Sequence, residues 1–221
     1  MTTWMAEMAL ARAFREDADE TVLSKAARIV RDGGVIAMPT DSFYALGACA
    51  LDEPAVRRAC AIKGQRESKP ILVLISDRSQ LDTLVARVPP GAAMLMDRFW
   101  PGPLTIVFPA SPCLPVALTA GTGTIGVRLP AHPLLVKLLR ATGPMTGTSA
   151  NRSGASPART ALDVERSLGG EVDLILDGGP ASATLPSTVV EATEVVRLLR
   201  EGPIGRAALK TVLAQGGIEL A

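Results

Sequence analysis

The sequence predicts an α/β protein with a mixed sheet, and three observations carry that prediction. Segments with apolar residues at helical spacing alternate with short β-branched runs through most of the 221 residues. Two runs near the C-terminus, "STVVEA" and "VVRLLRE", are separated only by Thr193 and Glu194, which is hairpin spacing and adds antiparallel pairing. No composition break or internal repeat marks a linker, so residues 20–221 read as one domain and residues 1–19 as an N-terminal segment.

Taken in order, "MTTWMAEMALARAFREDADE" mixes Glu7, Arg12, Arg15 and Glu16 among apolar residues. It has no uninterrupted apolar core with a cleavage site behind it, so it reads as a partner-packed helix or a frayed end. "ETVLSKAARIVRDGG" is a helix with Val22, Ala26, Ile29 and Val30 on one face and glycines at its end. "VIAMP" is a short buried strand, residues 53–62 a helix and "ILVLIS" a strand. "RSQLDTLV" and "GAAMLMDRFW" are helices; "LTIVFPA" and "TIGVRLP" are strands. "PLLVKLLRATG" is a helix, "MTGTS" one short strand, "TALDVERSLGG" a helix and "DLILDG" a strand. After the hairpin, "IGRAALKTVLAQGG" closes the chain as a helix.

Composition narrows the function classes. Lys plus Arg number 23 against 22 Asp plus Glu, a formal charge of +1, so any attraction for anions must come from a local cluster. No apolar run is long enough to span a bilayer. Cys49, Cys60 and Cys113 are odd in number and widely spaced, which predicts a reduced, cytoplasmic protein without a zinc site. His132 is the one histidine, placed before Pro133 where capping or packing is expected, so relays and metal sites built on several histidines are set aside. Chemistry here must rest on charge and positioning.

Some motifs fail on context. "GTGTIG" (Gly121, Gly123, Gly126) fits G-x-G-x-x-G, but "VRLP" follows where a dinucleotide site needs a helix, and no acid lies near position 146. It reads as a glycine-rich turn. No P-loop signature occurs, and "NRS" at 151–153 carries no weight as a glycosylation acceptor in a reduced protein. "KGQRESKP", residues 63–70, places Lys63, Arg66 and Lys69 around a single Glu67. A solvated loop and a cleft-lining loop both account for it.

The polar clusters that hold together sit where strands end. "PTDS" follows "VIAM", "TSANRSG" follows "MTG", "PST" opens the hairpin and "REG" follows "VVRLL". Alone, each is ordinary turn chemistry. With Lys63, Arg66, Lys69, Arg128 and Arg200 they look like the rim of one cleft. Hydroxyls and free backbone N–H groups there can hold phosphate or carboxylate oxygens, and arginine supplies a bidentate fork.

The stretches "MPTDSFYALG", "KGQRESKP", "WPGPLTIVF", "TIGVRLPAHPL", "TSANRSGASP", "STVV" and "LLREGPI" resemble, in order and spacing, the YrdC-like threonylcarbamoyl-AMP synthase family. The resemblance covers about residues 20–215. It implies a twisted open mixed sheet flanked by helices around a concave basic cavity. It implies condensation of L-threonine, bicarbonate and ATP into threonylcarbamoyl-AMP and pyrophosphate. A separate tRNA threonylcarbamoyltransferase complex would then modify adenosine-37 of ANN-decoding tRNAs. Mg²⁺ would travel on the ATP phosphates, with no protein-bound organic cofactor.

By the same resemblance, Ser42, Arg128, Gly147 and Ser187 would hold threonine. Thr124, Ser149, Asn151, Pro157 and Arg200 would line the nucleotide, and Lys63 and Lys69 would face the triphosphate. Gln65 takes the place of the usual arginine beside the nucleotide, so Arg66 is expected to reach back and act with Lys63 in catalysis. Judged singly, Ser42, Ser187 and Thr124 read equally well as strand-end turn residues. Arg128 also reads as a surface ion pair, but that reading ranks lower, because between Val127 and Leu129 of a strand it lies opposite to their face, where it can point into the cleft. Three other readings stand beside the synthase. A YciO-like paralogue shares "PTDSFYALG". A double-stranded RNA or tRNA binder is weakened by the balanced charge and by having only Phe 4, Trp 2 and Tyr 1. A carbamoyl-transfer domain of hydrogenase maturation factors would sit in a longer chain.

Overall fold

The computed structural model describes residues 10–12, 20–64 and 70–221. The mixed α/β class is as the sequence predicts, but the strands divide between two sheets instead of forming one. The first runs β1 (Leu10–Arg12), β9 (Leu174–Asp177), β2 (Ile36–Met38), β3 (Ala45–Gly47), β8 (Thr148–Ser149). The second runs β11 (Val196–Arg200), β10 (Thr188–Ala192), β5 (Leu104–Pro109), β6 (Thr124–Arg128), β4 (Val73–Leu74), β7 (Met145–Thr146). Both mix parallel and antiparallel pairs.

The chain passes between the two sheets at one residue. "MTGTS", read as a single strand, is cut at Gly147 into β7 of the second sheet and β8 of the first. A Cβ at Gly147 would stand 2.6 Å from Leu74 Cγ, so only glycine lets the chain cross so close to β4. The crossing is tied on both sides: Gly147 N–H donates to Leu72 O at 2.7 Å, and the Thr146 hydroxyl donates to Leu46 O at 3.2 Å. This seam positions the site.

The helices cover the sheets as their apolar faces demand. α1 (Glu20–Arg31) buries Ala26, Ala27 and Val30 with α6 (Pro133–Thr142) against Ile36, Met38, Leu174 and Leu176. The alternate residues Ala37 and Ile175 face the other way, onto α2 (Glu53–Lys63) and α7 (Ala161–Leu168). α4 (Pro90–Phe99) and α8 (Arg206–Ala214) bury Leu95, Leu209 and Leu213 against Ile106 and Val190 of the second sheet. The Asp52 side chain caps α2, and Gly64, at φ 65°, ends it.

Several expectations are corrected. Residues 10–12 of the N-terminal segment are a strand paired parallel with β9, not helix; the rest of 1–19 lies outside the described residues. β3 and the short helix α5 (Val116–Thr119) were not foreseen, and only Val73–Leu74 of "ILVLIS" is strand. His132 takes the N-cap position of α6, yet its side chain makes no capping bond. "GTGTIG" is a turn entering β6, with Gly121 and Gly123 at φ 69° and 70°. Among the described residues, no helix is long and apolar enough to cross a membrane.

Candidate functional site

Where the two sheets meet, a cavity of about 370 Å³ is bounded by the loop after β2, strand β4, Gly147–Ser149, Pro157, Pro186–Ser187 and the end of β11. Ser42, Arg128, Gly147, Ser149, Pro157, Ser187 and Arg200, all singled out in the sequence, line it together. Their gathering follows from topology. β6 delivers Arg128, the β7–β8 seam delivers Gly147 and Ser149, and the β10–β11 hairpin delivers Ser187 and Arg200 from either strand.

Arg128 is 2% exposed and held from three sides. Its Nε donates to Gly102 O at 3.0 Å and its Nη1 to Ser42 Oγ at 2.9 Å. Its Nη2 lies 2.7 Å from Asp41 Oδ1, an ion pair whose two atoms lack hydrogen-bond geometry and have no other hydrogen-bond partner among the described residues. Nη2 is fully buried beside Asp41, so of the guanidinium's five N–H groups it is the second hydrogen on Nη1 that is left for a ligand. Gly102 belongs to "WPGP" and is anchored in return, its N–H donating to Leu129 O at 2.9 Å. The Thr40 hydroxyl donates to Phe43 O at 2.7 Å and accepts from Ser42 N–H at 3.0 Å, which closes the turn that aims Ser42.

A second arginine, Arg200, lines the same cavity. Arg200 Nε donates to Ser187 O at 3.0 Å and Nη2 to Ser187 Oγ at 3.2 Å. Ser187 Oγ also meets Thr105 Oγ1 at 2.9 Å. Burial, and behind it the charge of Arg128, lowers the Arg200 pKa from its ordinary value. Two cations facing one cavity are the electrostatic condition for binding anions.

Other predicted residues stand apart from this cavity. Lys63 is 9% exposed, and its Nζ donates to Ser149 O at 2.9 Å and Ser149 Oγ at 2.8 Å, with Asn151 O at 3.4 Å. Burial lowers its pKa. It therefore braces Ser149 from behind. Asn151 is folded into its own loop, donating to Arg152 O and Ala155 O, each at 2.8 Å. Thr124, at the far end of β6, pairs its hydroxyl with Thr122 at 2.9 Å. Neither lines the cavity. Gln65, Arg66 and Lys69 lie outside the described residues. No group of three or more His, Cys, Asp or Glu gathers as a metal site among the described residues.

Sequence reasoning missed Thr40, Asp41, Gly102 and Thr105. The first two stand in "PTDS" and the last two in "WPGPLTIVF", so the motifs were visible while the individual roles were not. Tyr44 was also missed. Its hydroxyl donates to Gly179 O at 2.8 Å and accepts from Gly178 N–H at 3.2 Å, tying the cavity wall to the end of β9. Burial, opposed by the Gly178 bond, pushes its pKa up to about 12. The neutral phenol is thus favoured by folding. Its contribution is complete below the unfolded pKa near 10 and disappears as pH rises through about 12. Urea titrations are expected to show the parent losing roughly 2–3 kcal/mol over that window. Tyr44→Phe should start about 1 kcal/mol less stable and lose less on the alkaline side. Equal alkaline losses would remove Tyr44 as the cause.

The geometry can be set beside known proteins. A family model named Sua5_yciO_yrdC, described as "Telomere recombination", matches residues 28–202. Threonylcarbamoyl-AMP synthase of Pyrococcus abyssi is 38% identical over 203 residues, covering 91% of this chain. This chain spans only 60% of that relative's length. A crystal structure of P. abyssi Sua5 complexed with L-threonine aligns with a TM-score of 0.90 at 35% identity, over 96% of this chain and 62% of that one. The crystal structure of E. coli YciO aligns with a TM-score of 0.82 at 31% identity, over 91% of this chain and 98% of that one.

Proposed function

Because the chain belongs to the Sua5–YciO–YrdC family, we propose that it is an L-threonylcarbamoyladenylate synthase. One observation carries the reading: a buried arginine fork, Arg128, lines the same cavity as Ser42, Gly147 and Ser187. Such a fork suits a carboxylate. Threonine seated there by its carboxylate presents its amine toward the open cavity. The amine, on losing a proton, forms an N–C bond to bicarbonate with loss of water, giving a carbamate. A carbamate oxygen then attacks the α-phosphorus of ATP; the bond to the β-phosphate oxygen breaks, and pyrophosphate leaves. Every reacting atom comes from a substrate, so the protein's part is positioning and charge neutralisation. Arg200, with Ser149 and Pro157 beside it, lines the nucleotide end. Lys63 and Lys69 stand on the triphosphate side, with Arg66 supplying the guanidinium that Gln65 lacks. Mg²⁺ enters as part of the nucleotide substrate, on its phosphates.

In this reading the adenylate passes, in the cytoplasm, to a tRNA threonylcarbamoyltransferase complex, and direct contact with tRNA or double-stranded RNA is weak. A YciO-like role is the second reading, favoured by Gln65 and by the near-complete overlap with E. coli YciO. Pyrophosphate release from ATP separates the two. The synthase should release it only when threonine and bicarbonate are both present, and omission of either should return it to background. Equal release with alanine, or with no amino acid, would refute the proposal.

A further inference from the structure

Two guanidiniums face the cavity, but a carboxylate stands behind only one of them. Asp41 Oδ1 lies 2.7 Å from Arg128 Nη2, reaching it from the side of a neighbouring cavity of about 540 Å³ that Asp41 lines with Thr40. Arg200 has no ion-pair partner among the described residues, and its guanidinium donates to Ser187. Among the described residues, the charged ones lining the smaller cavity are these two arginines.

We propose that Asp41 is a specificity-determining residue, whose carboxylate divides the cavity into a charge-compensated end at Arg128 and an uncompensated end at Arg200. Asp41 pairs with the fully buried Nη2, so it removes net charge from Arg128 while the second hydrogen of Nη1, the nitrogen bonded to Ser42, stays unused. A ligand there still finds a donor, yet little net positive field. A zwitterionic amino acid suits that end, because its own ammonium offsets its carboxylate. A polyphosphate does not, since each of its charges is repelled by Asp41 while only one cation draws it in. At the Arg200 end no carboxylate among the described residues opposes a phosphate. The lowering of the Arg200 pKa, to which Arg128 contributes, fits a cation left without a counter-ion. Asp41 thus keeps nucleotide phosphates and released pyrophosphate out of the amino-acid end.

The assignment of ends rests on the synthase reading, and the test separates the two. Calorimetry with inorganic pyrophosphate and with threonine is run on the parent, Asp41→Asn and Asp41→Glu, each with a melting curve. In the parent, pyrophosphate should bind without displacing threonine. In Asp41→Asn its affinity should rise at least tenfold and become competitive with threonine, while threonine affinity moves less than threefold. Asp41→Glu should behave as the parent. Unchanged pyrophosphate affinity in Asp41→Asn would overturn the proposal, as would displacement of threonine by pyrophosphate in the parent. The parent result decides the matter even if Asp41→Asn fails to fold. If the parent takes no threonine while Asp41→Asn gains pyrophosphate tenfold, the synthase reading fails and the role of Asp41 stands.

Discussion

Arg128→Ala is expected to lose threonine binding by on the order of 2–5 kcal/mol, which takes an ordinary affinity out of calorimetric range. The size follows from burial. At 2% exposure, water cannot replace the guanidinium, and a carboxylate brought to that end of the cavity would meet the Ser42 hydroxyl without the cation behind it. ATP affinity should change less than threefold, because Arg200 and the Lys63-braced Ser149 are retained. The same substitution leaves Asp41 without its cation and Gly102 O without its donor, so a loss of about 1–3 kcal/mol in folding stability accompanies it. Arg128→Lys keeps the charge but cannot satisfy three directions with one ammonium, and should fall between the two. If Arg128→Ala binds threonine like the parent, Arg128 is a structural ion pair and the carboxylate seat lies elsewhere.

How far that site could be read in advance depended on what each residue's role required. Ser42, Arg128, Gly147, Ser187 and Arg200 lie at strand ends, and strand ends are visible as the point where an apolar run meets small polar residues. Asp41 was in plain view in "PTDS", but its meaning depends on Arg128, 87 positions later, and no local pattern links the two. Thr105 reads as an ordinary β-branched strand residue until β5 is paired with β10, which brings Ser187 to its hydroxyl. Lys63 is a similar case. Its charge marks a candidate phosphate contact, while its bond to Ser149, 86 positions later, appears only once the last turn of α2 is packed against β8.

The fold divides along similar lines. Helices with a wide apolar face, α1, α6 and α7, stand where the periodicity put them, since burial of that face is what stabilises them. β3 is only Ala45–Gly47, too short and too poor in β-branched residues to show a pattern, and exists because β2 and β8 flank it. The division at Gly147 had no sequence mark beyond one glycine among threonines; its cause is the Leu74 side chain on another strand.

Gly202→Ala should be the most damaging single-methyl change near the site. A Cβ there would fall 2.6 Å from Thr188 N and 2.8 Å from Ser187 C, and against Pro186 O. All three are backbone atoms, so no rotamer change relieves the clash. Retreat is blocked on the other side. Thr188 is fully buried; its N–H donates to Pro103 O at 3.0 Å, and its hydroxyl accepts from Gly202 N–H at 3.1 Å and Ile204 N–H at 3.0 Å while donating to Ile204 O at 2.8 Å. Separating Gly202 from Thr188 breaks this group and disturbs Ser187, whose backbone the methyl meets and to which Arg200 is bonded. Overpacking with one lost buried bond is worth roughly 2–4 kcal/mol, or about 5–15 °C in melting temperature for a chain of this size. A shift of about 1 Å in Ser187 or Arg200 should cost on the order of 10²-fold in threonine-dependent pyrophosphate release. Gly170→Ala is the control, because a Cβ there meets nothing within 4 Å. It should melt and turn over like the parent. A Gly202→Ala variant that also melts and turns over like the parent would show that the β11 exit can yield, and that Ser187 and Arg200 are not held by the close approach of Gly202.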